Sequence, residues 1–219
     1  MCLGRCVVFA MNFVSCLRKN PVMKKKVGKW ILRLAGWKHR VPQEFRIDKG
    51  VMIGAPHTSN WDILYSLAGM WAAGYRPRFF IKKEWTDNFF VGWLIRWLGG
   101  IGVDRKKHNN LVNYSVELLK NSDKLVLLVP VEGTRSRVEE WKKGFYHIAR
   151  KADLPVILAY LDYGKKEAGV GDIMRLSGDF ERDMARIEDF YRNVTAKYPE
   201  KYNPVIFKRK TDAGKTEKN

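Results

Sequence analysis

Residues 55–62 read APHTSNWD and set His57 five positions ahead of Asp62, with Ser59 and Asn60 between them. An imidazole held by a carboxylate has a fixed tautomer and raised basicity, which is what proton abstraction from a hydroxyl requires. The same residues also read as a helix start. Ser59 is a good N-cap, and Asp62 three positions on completes an S-x-x-D capping box. The two readings are compatible: a helix beginning at Ser59 puts Asp62 in its first turn, where His57 can rest against the carboxylate.

A second group lies in VPVEGTRSR, residues 129–137, where an apolar run passes into a turn carrying Glu132, Gly133, Thr134 and Arg135. A guanidinium, a hydroxyl and the free N–H groups of a glycine turn make an anion cradle suited to a phosphate monoester. The plainer reading is a polar loop. In LGGIGVDRKK, residues 98–107, Arg105 is either a solvated surface charge or a second phosphate ligand. Gly100-x-Gly102 is not a dinucleotide loop, because Arg105 stands where the third glycine belongs. Lys143, beside Gly144, can reach an anionic head or simply be solvated, and His147 between apolar neighbours reads as structural. The chain has no G-x-S-x-G, no P-loop, no H-E-x-x-H and no C-x-x-C, so serine hydrolases, P-loop NTPases and zincins lack their usual signatures.

These residues need elements to position them. Buried strands are expected at 50–55, 78–82, 101–103, 124–131 and 155–161, with helices at 60–73, 87–98, 109–121, 141–151 and 179–197. Strands alternating with helical stretches predict an α/β fold with a largely parallel central sheet flanked by helices, preceded by basic amphipathic N-terminal helices. Ligands of such sheets gather beyond the carboxyl ends of the strands, and both His57 and Glu132 immediately follow one. The expected organisation is a basic amphipathic region at 1–46, a catalytic domain at 47–207 and a polar tail at 208–219.

Charge points to a partner. Lys and Arg number 41 against 23 Asp and Glu, a net charge of +18, which calls for an anionic partner or surface. Residues 1–46 hold eleven of the basic residues and a single acid, Glu44. Trp30, Ile31, Leu32, Leu34 and Trp37 are interleaved with them, a mixture that suits a helix at a lipid headgroup boundary. Stacking on RNA would also use tryptophans, but no Gly-aromatic strand motif accompanies them, which favours an anionic membrane over nucleic acid. The three cysteines all lie in the first sixteen residues, with neither disulfide nor zinc spacing, as in a reducing compartment. No run reaches the roughly 20 apolar residues of a membrane span. CVVFAMNFVSCL, residues 6–17, lacks a small-x-small cleavage site and reads as an interfacial anchor, with translation from Met23 as another option.

His-x4-Asp, then an apolar helix, then Asp104-Arg105, then EGTR, then Leu154-Pro155-Val156: this order, over about residues 50–160, resembles the glycerolipid acyltransferase superfamily of the lysophosphatidic acid acyltransferases. The closest likeness is to its short branch with PHTSNWD and no transmembrane helix. The resemblance implies transfer of a fatty acyl group from acyl-CoA or acyl-carrier protein to a hydroxyl of a lysolipid acceptor, with no metal or cofactor beyond that donor. It implies His57 as base, Asp62 as its orienting partner, and an acceptor phosphate site from Arg105, Glu132, Gly133, Thr134 and Arg135, with Lys143 in reach. It also implies a peripheral position on the cytoplasmic face of the membrane. The chain departs from the family pattern at Pro56 in place of Asn, at Gly102 in place of an aromatic, at Val131 between Pro130 and Glu132, and at Leu158 in place of a second proline. These departures leave the acceptor open, a lyso-amino-acid lipid being the alternative to 1-acylglycerol-3-phosphate. A basic RNA-binding protein without catalysis is the rival of a different class.

Overall fold

The computed structural model describes residues 21–42, 45–104 and 110–209. In chain order the elements are α1 (Pro21–Leu34), β1 (Lys38–Arg40), β2 (Lys49–Ala55), α2 (Trp61–Ala72), β3 (Arg78–Lys82), α3 (Lys83–Asp87), α4 (Gly92–Leu98), β4 (Gly100–Val103), α5 (Leu111–Lys120), β5 (Leu125–Leu128), α6 (Gly144–Ala152), β6 (Val156–Asp162), β7 (Glu167–Met174) and α7 (Phe180–Tyr191). They form a seven-stranded sheet in the order β1-β7-β6-β2-β5-β3-β4. Strands β6, β2, β5, β3 and β4 run parallel; β7 is antiparallel to β6, and β1 pairs parallel with β7. This is the expected α/β fold with a largely parallel sheet.

Strand β2 shows why the centre is stable. Val51, Ile53 and Ala55 pack with the faces of α6 and α7, while Met52 points the other way against Leu67, Met70 and Trp71 of α2. A strand covered on both faces has no polar side, so its apolar run is continuous rather than alternating. β5 and β6 follow the same pattern through Leu125, Val126, Leu127, Val156, Ile157 and Leu158, all buried.

Helix α1 lies along α2, and the two approach closely because Gly28 has no side chain. A Cβ there would collide with the Ala68 carbonyl oxygen. Leu32 and Trp37 are buried against Ala68, Ala72 and Leu161, whereas Val22, Trp30 and Leu34 are exposed. The expected anchor at 6–17 and the cysteines lie outside the described residues. So do Glu44, Arg105 and residues 210–219 of the expected tail. Among the described residues, no helix is long and apolar enough to cross a membrane.

Three local expectations are corrected. The helix expected at 87–98 begins only at Gly92, with a separate short helix, Lys83–Asp87, before it, because Asn88 is extended and its side chain accepts from the N–H groups of Phe90 and Val91 at 2.9 and 3.2 Å. The helix at 141–151 begins only at Gly144, since the N–H groups of Trp141 and Lys142 bond across to Ile206 and Val131. β1 and β7 were not foreseen. β7 returns from β6 through a tight turn in which Lys166 takes a φ of 48° and Lys165 N–H bonds Asp162 at 3.0 Å.

Candidate active site

His57, Glu132 and Tyr163 each lie just past the carboxyl end of a neighbouring parallel strand, β2, β5 and β6 respectively. Asp62, in the first turn of α2, is the hub between them. It is 2% exposed, and its Oδ2 accepts from the N–H groups of Thr58 and Ser59 at 2.6 and 2.8 Å. His57 Nδ1 stands 3.3 Å from the same oxygen, and the Tyr163 hydroxyl donates to Oδ1 at 2.6 Å. Burial alone would raise the Asp62 carboxyl. The hydrogen bonds from His57, Tyr163, Ser59 and Thr58 outweigh it and hold the group below its ordinary value. A carboxylate kept ionised this way holds an imidazole by Nδ1–H and leaves Nε2 free as a proton acceptor. The His57 side chain is 32% exposed and lines a cavity.

The helix-start reading also holds in part. Ser59 Oγ accepts from Trp61 N–H at 3.2 Å and Asp62 accepts from Ser59 N–H, although Asn60 occupies the residue before the first helical turn. The N–H groups of Thr58, Ser59 and Trp61 are therefore already engaged by side chains, and that of Asp62 bonds the Ser59 carbonyl at 3.3 Å.

Glu132 turns inward. It is buried, and its Oε2 accepts from the His57 backbone N–H at 2.8 Å, so the β5 loop pins the β2 loop. Burial pushes its pKa up to about 7, offset only in part by the N–H and imidazole of His57. Gly133, with φ of 71°, lines the same cavity as His57. Thr134 and Arg135 are exposed at the turn, and Arg135 has no hydrogen-bond or ion-pair partner among the described residues. Lys143 is placed elsewhere: it lies 3.7 Å from Glu140 and over the Phe180 ring. The lysine beside the turn is its neighbour Lys142, whose side chain lies where a Gly133 Cβ would be. His147 sits on the exposed side of α6.

Two residues near the site escaped the sequence reading. Tyr163 follows β6 by one residue, so the rule that singled out His57 and Glu132 applied equally to it. Lys197, from the chain after α7, stands 5.6 Å over Trp61 and 5.6 Å over Tyr198, and nothing in its sequence context signals that.

Beside the pair opens a cavity of about 230 Å³ whose walls include Leu67, Met70, Phe79 and Leu128. The surface around this end of the sheet is apolar. Trp61, Ile63 and Leu64 of α2 are exposed, and the segment leaving β3 exposes Trp85, Phe89 and Phe90, the last two by 89% and 80%. Among the described residues, no three His, Cys, Asp or Glu side chains cluster as a metal site would require.

A model of the family described as Acyltransferase matches residues 36–161, more than half of the chain. The chain belongs to the Acyltransferase family. This agrees with the resemblance carried by His57, Asp62 and the EGTR turn, all inside the matched region. The fold is shared with the crystal structure of the 1-acyl-sn-glycerophosphate (LPA) acyltransferase PlsC from Thermotoga maritima, at a TM-score of 0.58 and 20% identity, covering 83% of this chain and 85% of that one. No curated protein matches the chain significantly. In this acyltransferase the H-x4-D and EGTR motifs lie on loops at one end of one sheet with the apolar cavity beside them, while Leu154-Pro155-Val156 leads into β6 at the other end.

Proposed function

We propose that this acyltransferase moves a fatty acyl group from a thioester, acyl-CoA or acyl-carrier protein, to a hydroxyl of a lysophospholipid-type acceptor, 1-acylglycerol-3-phosphate foremost, in phospholipid biosynthesis. The observation that carries the reading is the His57–Asp62 pair, with Nδ1 turned to a buried, four-times-bonded carboxylate and the imidazole edge open beside an apolar cavity. An alcohol ionises far above pH 7, so its attack needs a base in hydrogen-bond reach. His57 Nε2 takes the hydroxyl proton as the oxygen bonds the thioester carbon. The C–S bond then breaks, and the imidazolium returns the proton to the leaving thiolate. With no cysteine or activated serine at the site among the described residues, direct transfer is favoured over an acyl-enzyme. The N–H groups of Thr58, Ser59 and Trp61 are engaged by side chains, and we assign the oxyanion to the Gly133 turn. Arg135 and Arg105 hold the acceptor phosphate. The exposed aromatic rim and the basic first 46 residues suit a peripheral position on an anionic membrane face.

The test is transfer with acyl-CoA and a panel of lysophospholipids and lyso-amino-acid lipids, read by mass spectrometry. His57→Ala should lower activity about 10²–10⁴-fold with folding intact. Arg135→Ala should cost about 1.5–3 kcal/mol in kcat/KM for a phosphate acceptor, through KM, and alter acyl-CoA affinity much less. Undiminished transfer by His57→Ala sinks the mechanism. A clear preference for an acceptor without phosphate removes the role given to the arginines and leaves that of the pair.

A further inference from the structure

The opposite end of the sheet carries a second and larger concavity, of about 650 Å³. It lies where β2, β5, β3 and β4 begin: its walls include Asp48, Lys124, Arg78 and Gly99, each at or next to a strand's first residue. Among the described residues seven cations line it, Lys24, Lys25, Arg46, Arg76, Arg78, Arg96 and Lys124, against one carboxylate, Asp48. Asp48 is taken by Lys124 at 2.7 Å. Lys24 and Arg96 bond to backbone carbonyls, of Trp97 and Thr86, and Lys24 also lies over the Trp71 and Trp97 rings, but neither meets a carboxylate among the described residues. Among the described residues, Lys25, Arg46, Arg76 and Arg78 have no anionic partner.

Such convergence is costly unless something balances it. The C-termini of α2, α4 and α5 reach the same walls, through Gly74, Gly99 and Ser122. Each offers roughly half a negative charge, which leaves most of the excess uncompensated. Lys24 registers the result. Burial, then Arg78 and Arg76, bring its pKa down to about 8, so bringing these groups together works against its charge. Surface lysines and arginines normally spread apart; these come from α1, the β2 approach, the β3 approach, α4 and the β5 approach to face one space.

We propose that this cavity is a binding site for a multiply charged phosphate ligand, separate from the acyl-transfer site. Arginine suits phosphate oxygens because its planar fork binds them in pairs. At about 30 Å³ per water the space exceeds inorganic phosphate several-fold, so it fits a diphosphate or a phosphate ester with an organic substituent. The same chemistry is offered by a soluble metabolite and by an anionic lipid headgroup, and the experiment separates them.

The full chain is titrated with sodium pyrophosphate at fixed ionic strength, with binding read from tryptophan fluorescence and thermal shift. A parallel arm uses phosphatidylcholine vesicles with and without phosphatidic acid. The cavity variant is Arg76→Gln with Arg78→Gln, both exposed, and Arg46→Gln serves as an independent second. Lys151→Gln with Arg182→Gln, exposed on α6 and α7 outside the cavity and outside the basic first 46 residues, is the charge-matched control. His57→Ala is included so that loss of acyl transfer and loss of anion binding are told apart. The expected result is saturable binding weakened about tenfold or more by the cavity variants, and far less by the control or by His57→Ala. If this appears with pyrophosphate, the ligand is soluble; if it appears only with phosphatidic acid vesicles, the ligand is a headgroup. Equal weakening by cavity variant and control, or binding in neither arm, overturns the proposal.

Discussion

The two ends of the parallel sheet solve opposite electrostatic problems. At the carboxyl ends of β2, β5 and β6 two carboxylates are buried, and the chain itself answers them: Thr58, Ser59, His57 and Tyr163 converge on Asp62, and the His57 N–H on Glu132. At the amino ends of β2, β5, β3 and β4 cations gather, and the chain answers few of them. Helix direction contributes to the difference. α2 presents its positive N-terminus beside Asp62 and its negative C-terminus to the cations, so one dipole favours each sign at its own end. The charges are answered within the chain where we propose that a proton moves, and left largely unanswered where we propose that an anion binds. A site that satisfies its own charges holds a catalytic group in one orientation before substrate arrives. A site that does not has affinity left for a ligand.

The sharpest way to break this contrast is to remove an internal answer. Tyr163 gives Asp62 its one bond on Oδ1, and burial followed by the Asp62 bond raises the phenol, keeping it a donor. Tyr163→Phe deletes that donor and keeps the ring. A hydrogen bond to a buried charge is worth about 1.5–3 kcal/mol, so kcat should fall roughly 10- to 100-fold while KM for either substrate changes little. A rise in KM with kcat unchanged would mean that Tyr163 holds substrate rather than the pair.

Glu132 gives a second, smaller test. With its pKa raised from 4.5 to about 7 by burial, its neutral form is the one the folded state favours. The stabilising contribution is complete below pH 4.5 and is lost as pH rises through 7. Glu132→Gln keeps an acceptor for the His57 N–H and removes the charge. The difference in stability between variant and parent should therefore be flat below pH 4.5 and grow in favour of the variant up to about pH 8, by on the order of 2 kcal/mol. Urea titrations at several pH values measure it. A difference that does not change with pH would mean the carboxyl is not titrating in this window.

The placement of His57, Asp62 and Glu132 at one end of the sheet was largely legible in the sequence because its signals are local. His57, Asp62 and Glu132 sit where strand meets loop, and β3 has the bounds its apolar run predicts. Tyr163 obeys the same rule, but a tyrosine after a strand carries neither charge nor imidazole to mark it in the sequence. That Lys142 and not Lys143 lies beside the Gly133 turn depends on the segment before α6, whose N–H groups bond across to Ile206 and Val131, and adjacent lysines in the sequence do not reveal it. β7 is weak in β-branched residues, and β1, Lys-His-Arg, has no apolar signal at all; both exist because a neighbouring strand pairs with them. The cationic cavity was illegible for a different reason. The net charge announced that an anion was needed, but Lys24, Arg46, Arg76, Arg96 and Lys124 are brought together only by the sheet's topology.

The smallest expected effect is the one that most sharpens the comparison. β3 has five residues, which at about 3.3 Å each puts roughly 17 Å between the Arg78 end and the loop level of His57. That exceeds the Debye length of about 8–10 Å at ordinary ionic strength. Removing two charges from an exposed cavity wall at that distance should hardly alter the field at Nε2. The Arg76→Gln, Arg78→Gln variant is therefore expected to keep kcat/KM for soluble short-chain substrates within about twofold of the parent in 0.15 M salt. Short chains matter, because they remove any contribution of vesicle binding from the reading. A loss of fivefold or more under those conditions, with stability unchanged, would show that the two ends act on each other through the sheet. The amino-end cavity would then belong to the transfer machinery instead of standing apart from it.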